Sequence, residues 1–301
     1  MPEVSKEIDL ELLAGVLPVS TLSNLQRFRQ SYQLDGEIFE CLRLDQLHPT
    51  LSGNKFFKLL GHLEAFRSSG RSRLLSFGGR WSNHLHALAH AAAHLDVPSI
   101  AMVLGYPEQL LTDTLRDCQR QGMALHFCNR KQYQQRYDET WRQTLSDQYD
   151  AWVIPEGGDG EAGLRGFELL QPSVIGYDEV WVAAGTGTSA IGLAENMLPS
   201  QTLVIVNAVQ DQGALAERLA SLSLKPRWRF ADCPYSLRFG KLTPEQRQLM
   251  ERADAVDLPL DPVYTVRLLS ALLHARQHGR ASDNSLLIHS GGLQGRRGMS
   301  F

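Results

Sequence analysis

The stretch EVWVAAGTGTSAIGL (179–193) decides the fold. An almost wholly apolar run ends in a Gly/Thr turn and passes into a helix-like segment, the pattern of a strand buried on both faces that feeds a helix. Seven further runs repeat its first half: IFECLRL (38–44), RLLSFGG (73–79), SIAMVLG (99–105), ALHFC (124–128), AWVIPEG (151–157), TLVIVNAV (202–209) and SLLIHSGG (285–292). They alternate with helical stretches such as 108–121 and 130–149, which predicts an α/β chain built from parallel βαβ units. Several runs end in glycines: FGG at 77–79, EGG at 156–158, AGTGT at 184–188 and SGG at 290–292. Ligands of parallel sheets sit beyond the strands' carboxyl ends, so four such turns point to one shared site.

Composition sets the outer limits. The chain has 301 residues, 43% hydrophobic and 21% charged, a globular balance large enough for two domains. Thirty basic against thirty-three acidic side chains leave a net charge of −3, so no basic field favours nucleic acid. The opening MPEVSKEIDLELLAG lacks a signal-like apolar run, and no 18-residue apolar stretch occurs. The expectation is a cytoplasmic protein without nucleic-acid or membrane partners. Cys41, Cys118, Cys128 and Cys233 show no CxxC spacing and read as reduced, structural thiols.

Three segments carry chemistry. In AGTGTSAIGL (184–193), Gly185, Thr186, Gly187, Thr188 and Ser189 offer amides and hydroxyls to a phosphate at a helix start. The same letters fit a dinucleotide fingerprint, but the next strand has Asn207 where an acid is required, and Asp211 comes late. In LSGNKFFKL (51–59), Lys55 stands in the first turn of a helix, where the dipole and, if the side chain is partly buried, desolvation lower its pKa toward the free amine; taken alone it reads first as a solvated lysine. Lys58 reads as solvated. In FGGRWSNHLHALAHAAAHL (77–95), Ser82 and Asn83 are natural N-caps. His86, His90 and His94 share a face there but span too many turns to meet one ion, so a surface or helix-packing stripe is expected and no metal site.

Taken together, SGNK with Lys55, SNH with Ser82 and Asn83, the 185–189 turn, DPVYT (261–265) and HSGGLQG (289–295) resemble the pyridoxal-phosphate enzymes of the tryptophan-synthase β-subunit fold type. The nearest branch resembled is the 1-aminocyclopropane-1-carboxylate deaminase and D-cysteine desulfhydrase family. The resemblance implies a two-domain fold-type-II enzyme, each domain a mostly parallel sheet flanked by helices, with a large domain from 1–50 and 166–301 and a small domain at 51–165. It implies pyridoxal 5'-phosphate as cofactor, a small amino acid as substrate and a homodimer. Lys55 would carry the cofactor as a Schiff base, Asn83 would bond its phenolic oxygen, and 185–189 would hold its phosphate. Ser82 would contact substrate and move protons, and Tyr264 would be an active-site acid or nucleophile.

Two departures shade the activity. Thr265 stands where the deaminases have a glutamate near the pyridine nitrogen, and Ser290 matches the desulfhydrases' threonine there. A second tyrosine of the family is replaced at Phe239-Gly240, which removes a phenol from ring opening. The expectation is β-elimination to a 2-oxo acid and ammonia. The cyclopropane deaminase, and a catalytically silent cofactor-binding regulator or carrier, remain open alternatives. His84 reads equally as a specificity residue or an ordinary first-turn residue.

Overall fold

In a computed structural model of the chain, the structure describes residues 10–13, 17–51, 53–209, 213–234 and 242–298. Among the described residues ten strands form two sheets. The larger contains β1 (Arg29–Leu34), β2 (Glu37–Arg43), β7 (Glu179–Ala184), β8 (Thr202–Asn207), β9 (Arg227–Phe230) and β10 (Ser285–His289), in the order β1-β2-β10-β7-β8-β9. The smaller contains β3 (Arg73–Gly78), β4 (Ser99–Leu104), β5 (Ala124–Cys128) and β6 (Ala151–Ile154), in the order β5-β4-β3-β6. Every pairing is parallel except the β1–β2 hairpin.

All eight expected strands are present, and the fold class read from them holds. Two further strands, at the edges of the larger sheet, carry no such apolar run. RQSYQL (29–34) is polar and buries only alternate residues, while RWRF (227–230) carries two arginines and is largely accessible. Edge strands need not be apolar on both faces, so neither resembles the runs around it. Helix limits also differ. The helix expected at 108–121 spans Asp113–Arg120, because the Thr112 side chain caps it by accepting from the Leu115 amide. The stretch 130–149 breaks at Asp138, whose carboxylate caps a new helix, Glu139–Tyr149.

The strands of the smaller sheet fall, in sequence, wholly between β2 and β7. The helix Asn54–Ser69 bridges the two regions. Phe56, Phe57, Leu59, Leu60 and Leu63 are fully buried in one continuous core with Leu42 and Val182 of the larger sheet and Leu74 of the smaller. A helix apolar on most sides must lie inside, and this burial fixes where its first turn, with Lys55, emerges. A second core lies on the opposite face of the larger sheet under helix Thr265–Gln277. No helix among the described residues is long and apolar enough to cross a membrane. Cys41, Cys118 and Cys128 are buried as thiols, and Cys233 is half-buried.

Candidate active site

The ends of strands from both sheets enclose a cavity of about 880 Å3. Lys55, Ser82, Asn83, Gly185, Thr186, Gly187, Ser189, Tyr264 and Ser290 all line it, although they span 235 sequence positions from first to last. Thr188 and Thr265 are not on its wall. Both are fully buried, Thr188 bonded to Asp159 and Thr265 bonded through Oγ1 to the Asp261 carboxylate at 2.8 Å. Phe239-Gly240 and Asp211 lie outside the described residues.

Backbone pairing sets the position of Lys55. The Gly53 amide donates to the Leu44 carbonyl (2.8 Å) and the Asn54 amide to the Ser290 carbonyl (3.2 Å), so the helix start is stitched to β10's terminal turn. Asn54 Nδ2 donates to Ser189 Oγ at 2.7 Å, and Asn54 Oδ1 accepts from Lys55 Nζ at 2.7 Å. One asparagine thus links the lysine to the Gly/Thr turn. Desolvation lowers the Lys55 pKa from 10.5 to about 8, against the opposing pull of the Asp261 carboxylate. Lys58, expected to be solvated, is only 4% exposed; it lines the cavity and donates to the Gly157 carbonyl at 3.0 Å. Burial, reinforced by neighbouring Lys55, holds its pKa well below the ordinary value.

The turn after β7 leads into a helix start whose amides could receive an anion. Gly187 caps helix Thr188–Glu195 with φ +91, and an added Cβ would stand 2.5 Å from Leu215 Cδ1, so a side chain there is strained and forces Leu215 to shift. First-turn amides of a helix lack intrahelical acceptors and face the positive end of the dipole. Behind the turn lies an ion pair that the sequence does not announce. Arg218 meets Asp159 at 2.8 Å and donates to the Thr186 carbonyl at 2.7 Å. Burial alone would raise the Asp159 pKa, but bonds from Arg218 and Thr188 outweigh it and hold the carboxylate ionised. The pair ties the segment after β6 to the turn after β7.

On the opposite wall, Ser82 caps helix Asn83–His94 by accepting from the Leu85 amide at 3.2 Å, which leaves its own proton available. His84 is 2% exposed. Ser76 donates to the Ile154 carbonyl (2.7 Å) and therefore accepts from His84 Nε2 (2.8 Å), which leaves Nδ1 as an unpartnered acceptor. Burial and the two nearby lysines depress its pKa far below the ordinary value, so this imidazole is neutral. His86 meets Asp117 of helix Asp113–Arg120 at 3.4 Å, so part of the histidine stripe packs helix on helix.

Tyr264 belongs to a tight turn organised by Asp261, whose carboxylate accepts from the Val263 and Tyr264 amides (both 2.9 Å) and the Thr265 amide (2.7 Å). Burial, then the Asp261 and Glu156 carboxylates, push its phenol up to about 12. The phenol is therefore a proton donor throughout the neutral range. Fused to a lysine poised for the free amine and an anion-receiving turn, this cavity fits pyridoxal phosphate, which needs an amine for its aldehyde and a cradle for its phosphate.

Comparison with known proteins agrees with this reading. No family model matches the chain. It is 24% identical over 309 residues to a Pyrococcus horikoshii protein provisionally named 1-aminocyclopropane-1-carboxylate deaminase, covering 95% of this chain and 92% of that one. It is 26% identical over 319 residues to the D-cysteine desulfhydrase of Serratia proteamaculans, covering 94% and 93% respectively. Among solved structures, an ACC deaminase homologue superposes with a TM-score of 0.71 at 24% identity, over 87% of this chain and 86% of that one. A hydrogen sulfide-producing enzyme from Fusobacterium nucleatum superposes with a TM-score of 0.60 at 12% identity, over 91% and 98%. The likeness first seen in five motifs thus runs along nearly the whole chain, which resembles the 1-aminocyclopropane-1-carboxylate deaminase and D-cysteine desulfhydrase family in both sequence and fold.

Proposed function

We propose that the protein is a pyridoxal-phosphate-dependent enzyme that eliminates a β-substituent from a small amino acid, in the manner of a D-cysteine desulfhydrase, releasing a 2-oxo acid and ammonia. The observation that carries this reading is Lys55: a lysine with pKa about 8, held at a buried helix start on the wall of the cavity that also contains the anion-receiving turn. In this reading the cofactor lies between a large domain, 1–50 and 166–301, and a small one, 51–165. By resemblance, the protein acts as a homodimer.

Lys55 would hold the cofactor covalently, Asn83 its phenolic oxygen, the 185–189 turn its phosphate, and Ser290 the ring nitrogen's side. When bound, pyridoxal phosphate supplies an electron-withdrawing ring that acidifies the substrate's α-carbon. Lys55, with a pKa near neutrality, would be able to take the substrate's α-proton and to return one. The Ser82 proton is available to the substrate carboxylate. Tyr264 retains its proton and donates it toward the departing β-group. Thiolate needs little such help, since its conjugate acid has a pKa of about 8.5, whereas a ring carbon requires full protonation or nucleophilic attack. Ser290 supplies a hydroxyl, not a carboxylate, on the cavity wall, which favours elimination over ring opening.

The test is product release from D-cysteine, L-cysteine, 3-chloroalanine, serine and 1-aminocyclopropane-1-carboxylate, with 2-oxo acid and sulfide measured separately. Sulfide or chloride elimination should exceed ring opening in kcat/KM. Preference for the cyclic substrate would assign the deaminase activity instead. Bound cofactor with no turnover of any of the five would assign a carrier.

A further inference from the structure

The C-terminal turn is more than an end to the last strand. After β10 the chain passes through Ser290, Gly291 and Gly292 into a short 3-10 segment, Leu293–Gly298, which crosses to the other side of the cavity and meets the start of helix Asn83–His94. There Gln294 Nε2 donates to Asn83 Oδ1 at 2.8 Å. Both side chains line the cavity, and 211 positions separate them. Gly292 completes the seat. An added Cβ there would stand 2.5 Å from Asn83 Nδ2, so the absence of a side chain is what lets the amide lie in this place. The turn is itself anchored: Arg297 pairs with Asp117 at 2.6 Å and donates through Nε to the Gln294 carbonyl at 3.3 Å.

A terminal amide has a donor end and an acceptor end, and which one faces a ligand is decided by what engages the other. With its oxygen occupied by Gln294, Asn83 has its NH2 end left for the cavity. We propose that Gln294 is a positioning residue that holds the Asn83 amide with its donor toward the bound cofactor, so that the phenolic oxygen meets N–H and not a second lone pair. This rests on the assignment of Asn83 to the phenolic oxygen made above. The consequence is electronic as well as geometric. A donor withdraws charge from the phenolate, and that charge otherwise stabilises the proton on the adjacent imine nitrogen, so losing the donor raises the pKa of that proton.

The experiment uses cofactor-loaded wild type, Gln294→Ala, Gln294→Glu, Asn83→Ala and the Gln294→Ala/Asn83→Ala double variant. For each, the dissociation constant for pyridoxal phosphate is measured by equilibrium dialysis, and the visible band is titrated with pH. Gln294→Glu preserves shape but cannot donate, so it separates hydrogen bonding from packing of the turn. Both single substitutions at Gln294 should weaken cofactor binding roughly tenfold, the scale of one hydrogen bond to a charged group. They should also shift the band's titration upward or change its shape in the direction of Asn83→Ala. In the double variant, Gln294→Ala should add less than a factor of two to Asn83→Ala, because a residue acting through Asn83 has nothing left to orient. If Asn83→Ala changes affinity and spectrum while Gln294→Glu matches wild type in both, the positioning role is wrong and the Asn83 assignment stands. If Asn83→Ala changes neither, the assignment itself fails. Full additivity in the double variant would show that Gln294 merely packs the turn, and would also overturn the proposal.

Discussion

Replacing Lys55 with methionine should make the cofactor-free protein more stable at neutral pH while removing its ability to bind pyridoxal phosphate covalently. The structure supplies the magnitude. A fall from 10.5 to about 8 corresponds to about 3 kcal/mol of disfavour for the charged amine in the folded state. That figure is an upper bound, because Lys55 is only partly buried and water screens what it reaches. A gain of roughly 1–3 kcal/mol is therefore expected for Lys55→Met, which keeps most of the unbranched side chain and discards the charged end. A basic group whose folded pKa lies below its unfolded one binds fewer protons when folded, so wild-type stability rises with pH through the interval from about 8 to 10.5. Below that interval the penalty is present in full, and above it the penalty is gone. Urea unfolding of both cofactor-free proteins at pH 7 and pH 10.5 measures the difference. The gap should be largest at pH 7 and nearly close at pH 10.5. A pH-independent gap, or a Lys55→Met protein less stable than wild type at pH 7, would refute the claim that desolvation poises this amine. The same property sets reactivity: at pH 7.5 an amine with pKa about 8 is roughly one quarter unprotonated, against about one part in a thousand for an ordinary lysine. Borohydride reduction of the loaded enzyme followed by peptide mapping should place the label on Lys55, and a label on Lys58 would reassign the role.

Gly187→Val should weaken cofactor binding at least tenfold, because a side chain at φ +91 is strained and its Cβ would collide with Leu215; unchanged affinity by dialysis would count against the cradle. Arg218→Met leaves Asp159 without its cation beside the Gly/Thr turn, so cofactor affinity should fall several-fold, with part of the loss restored by Asp159→Asn in the same chain. Equal losses in the single and double variants would show that the ion pair does not act on the turn. Tyr264→Phe should reduce kcat more for D-cysteine than for 3-chloroalanine, since chloride departs with no proton; an equal fall for both would deny the phenol a role as donor to the leaving group.

Much of this molecule is legible without coordinates. Strands buried on both faces must be apolar throughout, so the six inner strands, and with them the largely apolar edge strands β5 and β6, stand out as short hydrophobic runs, and the glycines that end several of them mark where the shared site lies. Lys55, Ser82, Asn83 and the 185–189 turn sit in local patterns, a helix start or a strand-to-helix turn, whose chemistry depends on near neighbours in the chain. The edge strands β1 and β9 were not legible, because one exposed face removes the continuous apolar signal.

What the tertiary structure alone decided is which side chains face one another. Thr265 belongs to the same short motif as Tyr264, yet its hydroxyl is engaged by the Asp261 carboxylate and does not line the cavity, since adjacent residues at a helix start point in different directions. Lys58 reads as an ordinary surface lysine until the packing of helix Asn54–Ser69 turns it inward. Asp159 with Arg218, and Gln294 with Asn83, are 59 and 211 positions apart. Hydrogen bonds and ion pairs formed across such distances depend on how two sheets are brought together, and that arrangement imposes no periodicity on the sequence from which they could be read.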